Sequence, residues 1–507
     1  MVAMRRPISK ILLLIILLQS VLSVGATADT ITLVGEISGT DHQTYRTVPF
    51  EVPSGTQRLR IEFGHDGREL RTVVDLGVYG PNGFRGASGS NKSVIELGPS
   101  DATPSYRAGP IEAGEWRLVL GFPNVRGARM LPDRVPVITR FTATISLIRA
   151  DTEVRESAFL DGALRSGRSW YRGDLHAHSA HSDGSCGSKS GRRVPCPVHL
   201  TVEAARREGL DFIALTDHNT TSHFQTLREL QPYFDDILLI PGVELTSFRG
   251  HANVFGVEEI PSFFLPSGGD TSLPTIFPDV GARGGLVSVN HPGLPSGEEC
   301  MGCGWTAEID WRTVHALEVV NGGSLHQFAS AEGPFSAIRF WDRLLDAGYL
   351  IMGIASSDSH DPLAPLERQV PLGRPRTVVD ADNLSQRAIF AAIRKGRSFI
   401  DVEGTRERTI DFAAVIAGRR AAMGSRLSAV GASPIELQVT TTGVVGKSLI
   451  VVRSGGVRVN LGPIPQSGQV STPISSAEKV AHEWVRLEVR DEKERLLLLS
   501  NPIFISR

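Results

Sequence analysis

A series of histidines and carboxylates, each at the end of a short apolar run, constrains this chain more than any other feature. It runs His176-Ala-His178, Asp183, Asp217-His218, Glu244, His251, His291-Pro292 and Asp358-Ser-His360, and it holds six of the 14 histidines. The preceding runs are strand-like: Phe212-Ile-Ala-Leu-Thr216, Ile237-Leu-Leu-Ile240, Gly285-Leu-Val-Ser-Val289 and Leu350-Ile-Met-Gly-Ile354. Extended chain alternates its faces, so the two imidazoles of His176-x-His178 project to one side, and Asp358-x-His360 repeats that spacing. Helix-like stretches separate several strands: Val198 to Glu208, Phe335 to Ala347, and Asn383 to Lys395 with Gly396 as a C-cap. Such residues at strand ends in a β/α alternation belong at the C-terminal mouth of a barrel. One alone reads as a satisfied buried polar group. All together, without an ion, they would put many ionisable groups into one apolar mouth at high cost. Imidazole and carboxylate donors in this density suit Zn²⁺, Mn²⁺ or Fe²⁺.

At 507 residues the chain exceeds one ordinary domain. Residues 29–150 alternate at strand period between turn clusters such as Gly80-Pro-Asn-Gly83, which predicts a β-sandwich or jelly roll. Residues 168–403 carry the α/β pattern, and residues 404–507 return to strands, predicting a smaller C-terminal sandwich. Hydrophobic content of 41% and charged content of 21% are globular. A net charge of −2, and no basic stripe with interleaved aromatics, argue against nucleic acid as a partner.

The N-terminus reads as an export signal over residues 1–28. Arg5, Arg6 and Lys10 precede the apolar run Ile11 to Leu22, and Ala26-Thr27-Ala28 fits a cleavage site. Arg5-Arg6-Pro7 leaves ordinary and twin-arginine secretion both open. The expectation is a periplasmic or extracellular protein with no integral membrane domain after cleavage. The four cysteines, Cys186, Cys196, Cys300 and Cys303, then read as disulfides. Three pairings exist, and a four-thiolate zinc site is the competing reading.

The ordered motifs His176-x-His178, Ser182-Asp183-Gly184, Thr216-Asp217-His218, Pro241-Gly-Val-Glu244, His291-Pro292 and Ser357-Asp358-Ser-His360 resemble those of the PHP (polymerase and histidinol phosphatase) superfamily. Gly250-His251-Ala-Asn further resembles its carbaryl-hydrolase-like CehA/McbA branch. The resemblance implies a distorted (β/α)₇ barrel with two or three divalent ions. It implies His176, His178, Glu244 and Asp358 at a first ion, and Glu244, His251 and His291 at a second. Asp183, His218 and His360 would hold a third. Many trinuclear members carry histidine where Asp183 stands. Asp217 is expected to orient a ligand imidazole.

Clustered divalent ions activate water and neutralise charge on an attacked group, so no protein nucleophile is required. The expected substrate is a small phosphoester, monoester or diester. Asp183 or His360 is a candidate acid for the leaving group. Arg374-Pro-Arg376 is a candidate grip for phosphate oxygens. Asn219 and His223 are candidate substrate contacts, and Trp305 and Trp311 read as loop anchors. Two other readings stay open: a carbamate, ester or amide hydrolase, and a non-catalytic module that binds envelope or carbohydrate.

Overall fold

The computed structural model describes residues 29–69, 72–88, 90, 92–125, 138–149, 162–257, 273–296, 300, 302–428, 434–474 and 482–506. The expected export signal lies outside them. Among the described residues no helix is long and apolar enough to cross a membrane. The chain divides into two compact units, Met1–Val154 and Arg155–Arg507.

The first unit holds two four-stranded antiparallel sheets. One orders Asp29–Ile37, Thr139–Arg149, Thr56–His65 and Val94–Leu97; the other orders Tyr45–Val52, Gly114–Asn124, Val73–Gly80 and Gly83–Ser88. Period-two alternation turns Phe141, Ala143, Ile145 and Leu147 inward. They share one core with Ile61, Leu76, Trp116 and Leu118.

The second unit is α/β, rich in strand, with six α-helices among its described residues. Its central path runs Met352–Ser356, Ala316–Asn321, Leu286–Val289, Gly250–Phe255, Leu238–Ser247, Phe212–Leu215, Arg165–Asp174 and Arg376–Leu384. The ends of this path meet: Thr377 Oγ1 donates to Ala355 O (2.8 Å) and accepts from Ala355 N (2.9 Å). The β/α alternation is not regular. Leu238–Ser247 folds straight back into Gly250–Phe255 as an antiparallel hairpin, with no helix between. Gly250 permits that turn because its φ of +147° suits glycine alone.

The helices follow their apolar stripes. Ile338–Asp346 buries Ile338, Trp341, Leu344 and Leu345. Gln386–Arg394 buries Ile389, Phe390 and Ile393, and Ser385 Oγ accepts from Ala388 N as its N-cap. It starts later than the pattern predicts, because Asn383 and Leu384 remain in the preceding strand.

Residue 403 is not a boundary between compact units. Ser398–Asp401 pairs with Leu496–Ser500, so the sheet continues into the C-terminal strands. Those strands do form a second layer. Arg419–Ala422, Thr409–Ile416, Ile435–Thr442 and Gln469–Ile474 pack through Phe412 and Leu437 onto Leu487, Ile503, Val378 and Phe399. This core draws on both halves, which is why the expected third domain is fused to the α/β part. The cysteines pair locally, Cys186 with Cys196 and Cys300 with Cys303.

Candidate metal centre

Backbone pairing at strand ends assembles the site. Ala177 and Ser359 form a parallel bridge, in which His178 N donates to Ser359 O and Asp358 N to His176 O, each at 2.9 Å. The two spaced pairs therefore lie side by side. A second bridge joins His218 to Glu244. Asn290 N donates to His251 O (2.9 Å), which sets His291 beside the hairpin. Asp183 arrives on the turn that follows His178. That turn requires Gly184, since a Cβ there would sit 2.6 Å from Ser179 N.

Glu244 is the hub. Its Oε2 lies 3.3 Å from His176 Nε2, 3.5 Å from His178 Nε2 and 2.9 Å from His218 Nδ1. Its Oε1 lies 3.3 Å from His251 Nδ1 and 3.5 Å from His291 Nε2. Asp358 Oδ1 lies 3.2 Å from His176 Nε2 and 3.1 Å from His178 Nε2. At the outer edge Asp183 faces His218 at 3.6 Å and His360 at 3.3 Å. Donor atoms within 4.8 Å of one another come from His176, His178 and Glu244, and from His178, Asp183, His218 and His360. A further group of this kind joins His176, His291 and Glu318.

The donor chemistry fits divalent cations. His176 Nε2, His178 Nδ1, Glu244 Oε2 and His291 Nδ1 are buried without a hydrogen-bond partner. An unsatisfied buried polar atom costs about 1–3 kcal/mol, so those that point into the cluster call for a ligand. Two of them, His176 Nε2 and Glu244 Oε2, face each other without hydrogen-bond geometry, as atoms sharing a cation would.

The electrostatics agree. Burial opposes charge on Glu244 and Asp358, yet the neighbouring imidazoles, His176 first, hold both carboxyls well below their usual range. Burial likewise disfavours charge on His218, but Asp183 and Glu244 outweigh it and push its pKa up to about 10. His360 rises to about 8 against the same burial, through Asp183 and Asp358. His178, buried beside His360 and His218, falls to about 4. The carboxylates demand positive charge. Protonated imidazoles supply it only by repelling one another, whereas a divalent cation supplies it with the imidazoles neutral.

Residues missed in the sequence hold these groups in place. Glu318 is buried near the middle of Ala316–Asn321 and meets His176 Nδ1 at 3.2 Å. It also accepts from His291 N at 2.9 Å. Asp174 accepts from the backbone of His176, Ser357 and Gly373. Asn290 donates to Glu244 Oε1 at 3.0 Å, and Asn321 to Glu318 and Asp358. Asp358 and His291 have positive φ, +55° and +26°. Conformations of this kind cost about 1–3 kcal/mol and persist where surroundings over-determine them. A carboxylate inside an apolar strand was the available signal for Glu318.

Four other expectations change. Asp217 orients no cluster imidazole: it accepts from Ser179 N, Ser179 Oγ and Ser182 Oγ, fastening the turn that carries Asp183. Its imidazole neighbour is His223, which is fully buried and donates to Leu215 O and Gly242 O, so it cannot touch substrate. Asn219 is spent on the backbone of Thr246. Arg376 is fully buried with Nε on Gly373 O, and burial lowers its pKa to about 10. Arg374 is turned to Glu208 at 3.4 Å. Arg376 is thus spent on the protein's own backbone rather than open to a phosphate group, and Arg374 is paired with Glu208. Trp305 and Trp311 anchor loops, with ring centroids 5.8 Å apart and Phe277 stacked on Trp305.

Fold and site define an α/β protein in which strand ends bring together His/Asp/Glu groups that could hold metal. No family model matches the chain, and no curated protein matches it. Among solved structures it is similar to a two-domain protein of Bacteroides vulgatus ATCC 8482 containing a predicted PHP-like metal-dependent phosphoesterase. The TM-score is 0.35 and the identity 20%, over 70% of this chain and 99% of that one. It also matches a xylanase 10C mutant of Cellvibrio japonicus at a TM-score of 0.14 and 7% identity, over 60% of this chain and 54% of that one.

Proposed function

We propose that this protein is an exported metal-dependent hydrolase of the PHP type, on a distorted (β/α)₇ strand path, acting on a small phosphoester. The observation that carries the reading is the convergence of His176, His178, His218, His251 and His291 on Glu244, with His176 Nε2 and Glu244 Oε2 buried and partnerless. His176, His178, Glu244 and Asp358 would hold one ion, Glu244, His251 and His291 a second, and Asp183, His218 and His360 a third. Such ions, when bound, lower the pKa of a coordinated water and neutralise charge on the attacked group. More than one donor set around a shared carboxylate suits phosphoryl transfer, in which attacking and leaving oxygens can each meet a cation.

The chain's own residues do the rest. Glu318 and Asp174 fix His176, His291 and the Asp358 turn before substrate arrives. Asp183 and His360 sit at the outer, solvent-accessible edge, with 58% and 34% of their side chains exposed. Asp183, paired with two imidazoles, stays anionic. With only the first two ions bound, His360 is the group placed to hand a proton to the leaving oxygen, at Nε2; with a third ion bound there, it is a ligand instead.

The test is turnover of bis-p-nitrophenyl phosphate against a p-nitrophenyl carboxyl ester, by metal-loaded and chelator-treated protein. Phosphodiester turnover that chelation removes and one divalent ion restores is expected. Ester turnover alone would move the substrate to the carbamate or ester class. Turnover indifferent to chelation would contradict the metal reading.

A further inference from the structure

One buried sulfur lies against the second donor set. Cys303 is fully buried, and its Sγ is within 4.8 Å of a ring nitrogen of both His251 and His291. It is paired with Cys300. Resting on the metal-centre reading, we propose that Cys300–Cys303 is a redox latch. As a disulfide it leaves the Glu244–His251–His291 set one donor short; reduced, Cys303 becomes its fourth ligand.

The position of Cys303 does not depend on its disulfide. Gly302, with φ of +82°, packs against Ser247 O so closely that a Cβ would lie 2.1 Å away. Trp305 packs against Gly250. Thr306 N and Ala307 N both donate to Arg249 O, and Gly304 N donates to Ser296 Oγ at 3.0 Å. The segment that carries Cys303 is thus clamped onto the turn that leads into His251. Breaking the sulfur–sulfur bond frees a donor that is already in place.

The consequence follows from coordination chemistry. Three protein ligands leave a position for water or substrate, and such sites are catalytic; four ligands with thiolate close the shell, as in structural zinc sites. Thiolate also raises preference for softer ions such as Zn²⁺. Reduction by a phosphine balances simply: the phosphine takes oxygen from one water, the S–S bond breaks, and two thiols form. The Cys303 thiol then releases its proton to solvent on ligation. An oxidising compartment holds the latch open, and a reducing one closes it.

Cobalt(II) tests this, because thiolate ligation gives a charge-transfer band in the near ultraviolet, apart from the visible bands of any bound cobalt. Metal-depleted full-length protein is loaded with Co²⁺, with and without tris(2-carboxyethyl)phosphine, and turnover is followed in parallel. The wild type gains the band and loses turnover on reduction. Cys300→Ser shows the band without reductant, and Cys303→Ser shows none in either state. Visible cobalt bands with no charge-transfer band in the reduced wild type would overturn the latch and leave the metal centre standing. A band that persists in Cys303→Ser would assign it to another cysteine and overturn the latch. No bound cobalt in any state would overturn both readings.

Discussion

Two regions of the second unit bury ionisable groups densely, and they solve the problem in opposite ways. In the C-terminal layer Glu488 is fully buried and accepts from Arg486 (2.6 Å) and from Arg490 (2.6 and 2.9 Å). Arg486 reaches on to Asp342, and Arg490 to Glu332. Each charge meets an opposite one in hydrogen-bond geometry, so the network is complete within the protein. Around Glu244 the carboxylates meet imidazoles and two side-chain amides but no arginine or lysine, and His176 Nε2 and Glu244 Oε2 face each other with no hydrogen bond. Burial and charge alone do not distinguish a site from a structural network. The difference lies in whether the protein supplies the last partner itself.

That contrast can be attacked directly, beginning with its largest effect. Glu244→Gln removes the shared carboxylate, and turnover is expected to fall by roughly a thousandfold or more, with metal content per chain dropping alongside. Retention of both would place the centre elsewhere. Glu488→Gln should do the reverse. It leaves buried arginines short of charge, costing about 3–5 kcal/mol in urea unfolding, while metal content holds. Loss of metal in that variant would erase the distinction between the regions.

Acid should separate them next. Burial opposes charge on Glu488, but Arg486 and Arg490 hold its pKa down to about 2 from a reference of 4.5. A carboxyl with a depressed folded pKa stabilises above its unfolded value. That contribution, up to about 3 kcal/mol, is lost as pH falls from 4.5 toward 2. Ligand imidazoles compete with protons already near their ordinary pKa of about 6.5, so metal should leave first. Parallel titrations of bound metal and of unfolding check the order; coincident transitions would contradict it. The smallest effect is expected at Glu318→Gln, about 10–100-fold in metal affinity, since it positions His176 and His291 without joining the inner set. Isothermal titration with Zn²⁺ measures it, and a loss as large as that of Glu244→Gln would make Glu318 a ligand.

The cluster was legible because most of the expected ligands follow strands whose ends converge on one side of a sheet, while Glu244 and His251 sit within a hairpin and Asp183 on a turn. His176, His178, Asp183, His218, Glu244, His251, His291, Asp358 and His360 do come together. What escaped depends on pairing across long stretches of sequence. Arg376 reads as part of an exposed turn, and only its contacts with Gly373 and the distant Glu208 bury it. The boundary drawn at residue 403 fails because Ser398–Asp401 finds its neighbour nearly a hundred residues on, at Leu496–Ser500. Glu318 and Cys303 sit outside the motif spacing and reach the site through tertiary packing alone. Asp217 and His223 carry site-type chemistry in local sequence, yet the fold spends them on the Ser179–Ser182 turn and two strand carbonyls.

The central claim is that the groups around Glu244 are completed by metal. Elemental analysis of the full-length protein, as isolated and after reconstitution with Zn²⁺, Mn²⁺ or Fe²⁺, tests it most directly, with Glu244→Gln as the control. The account predicts two or three divalent ions per chain in the wild type and a clear deficit in the variant. No bound metal, and none taken up on reconstitution, would contradict it.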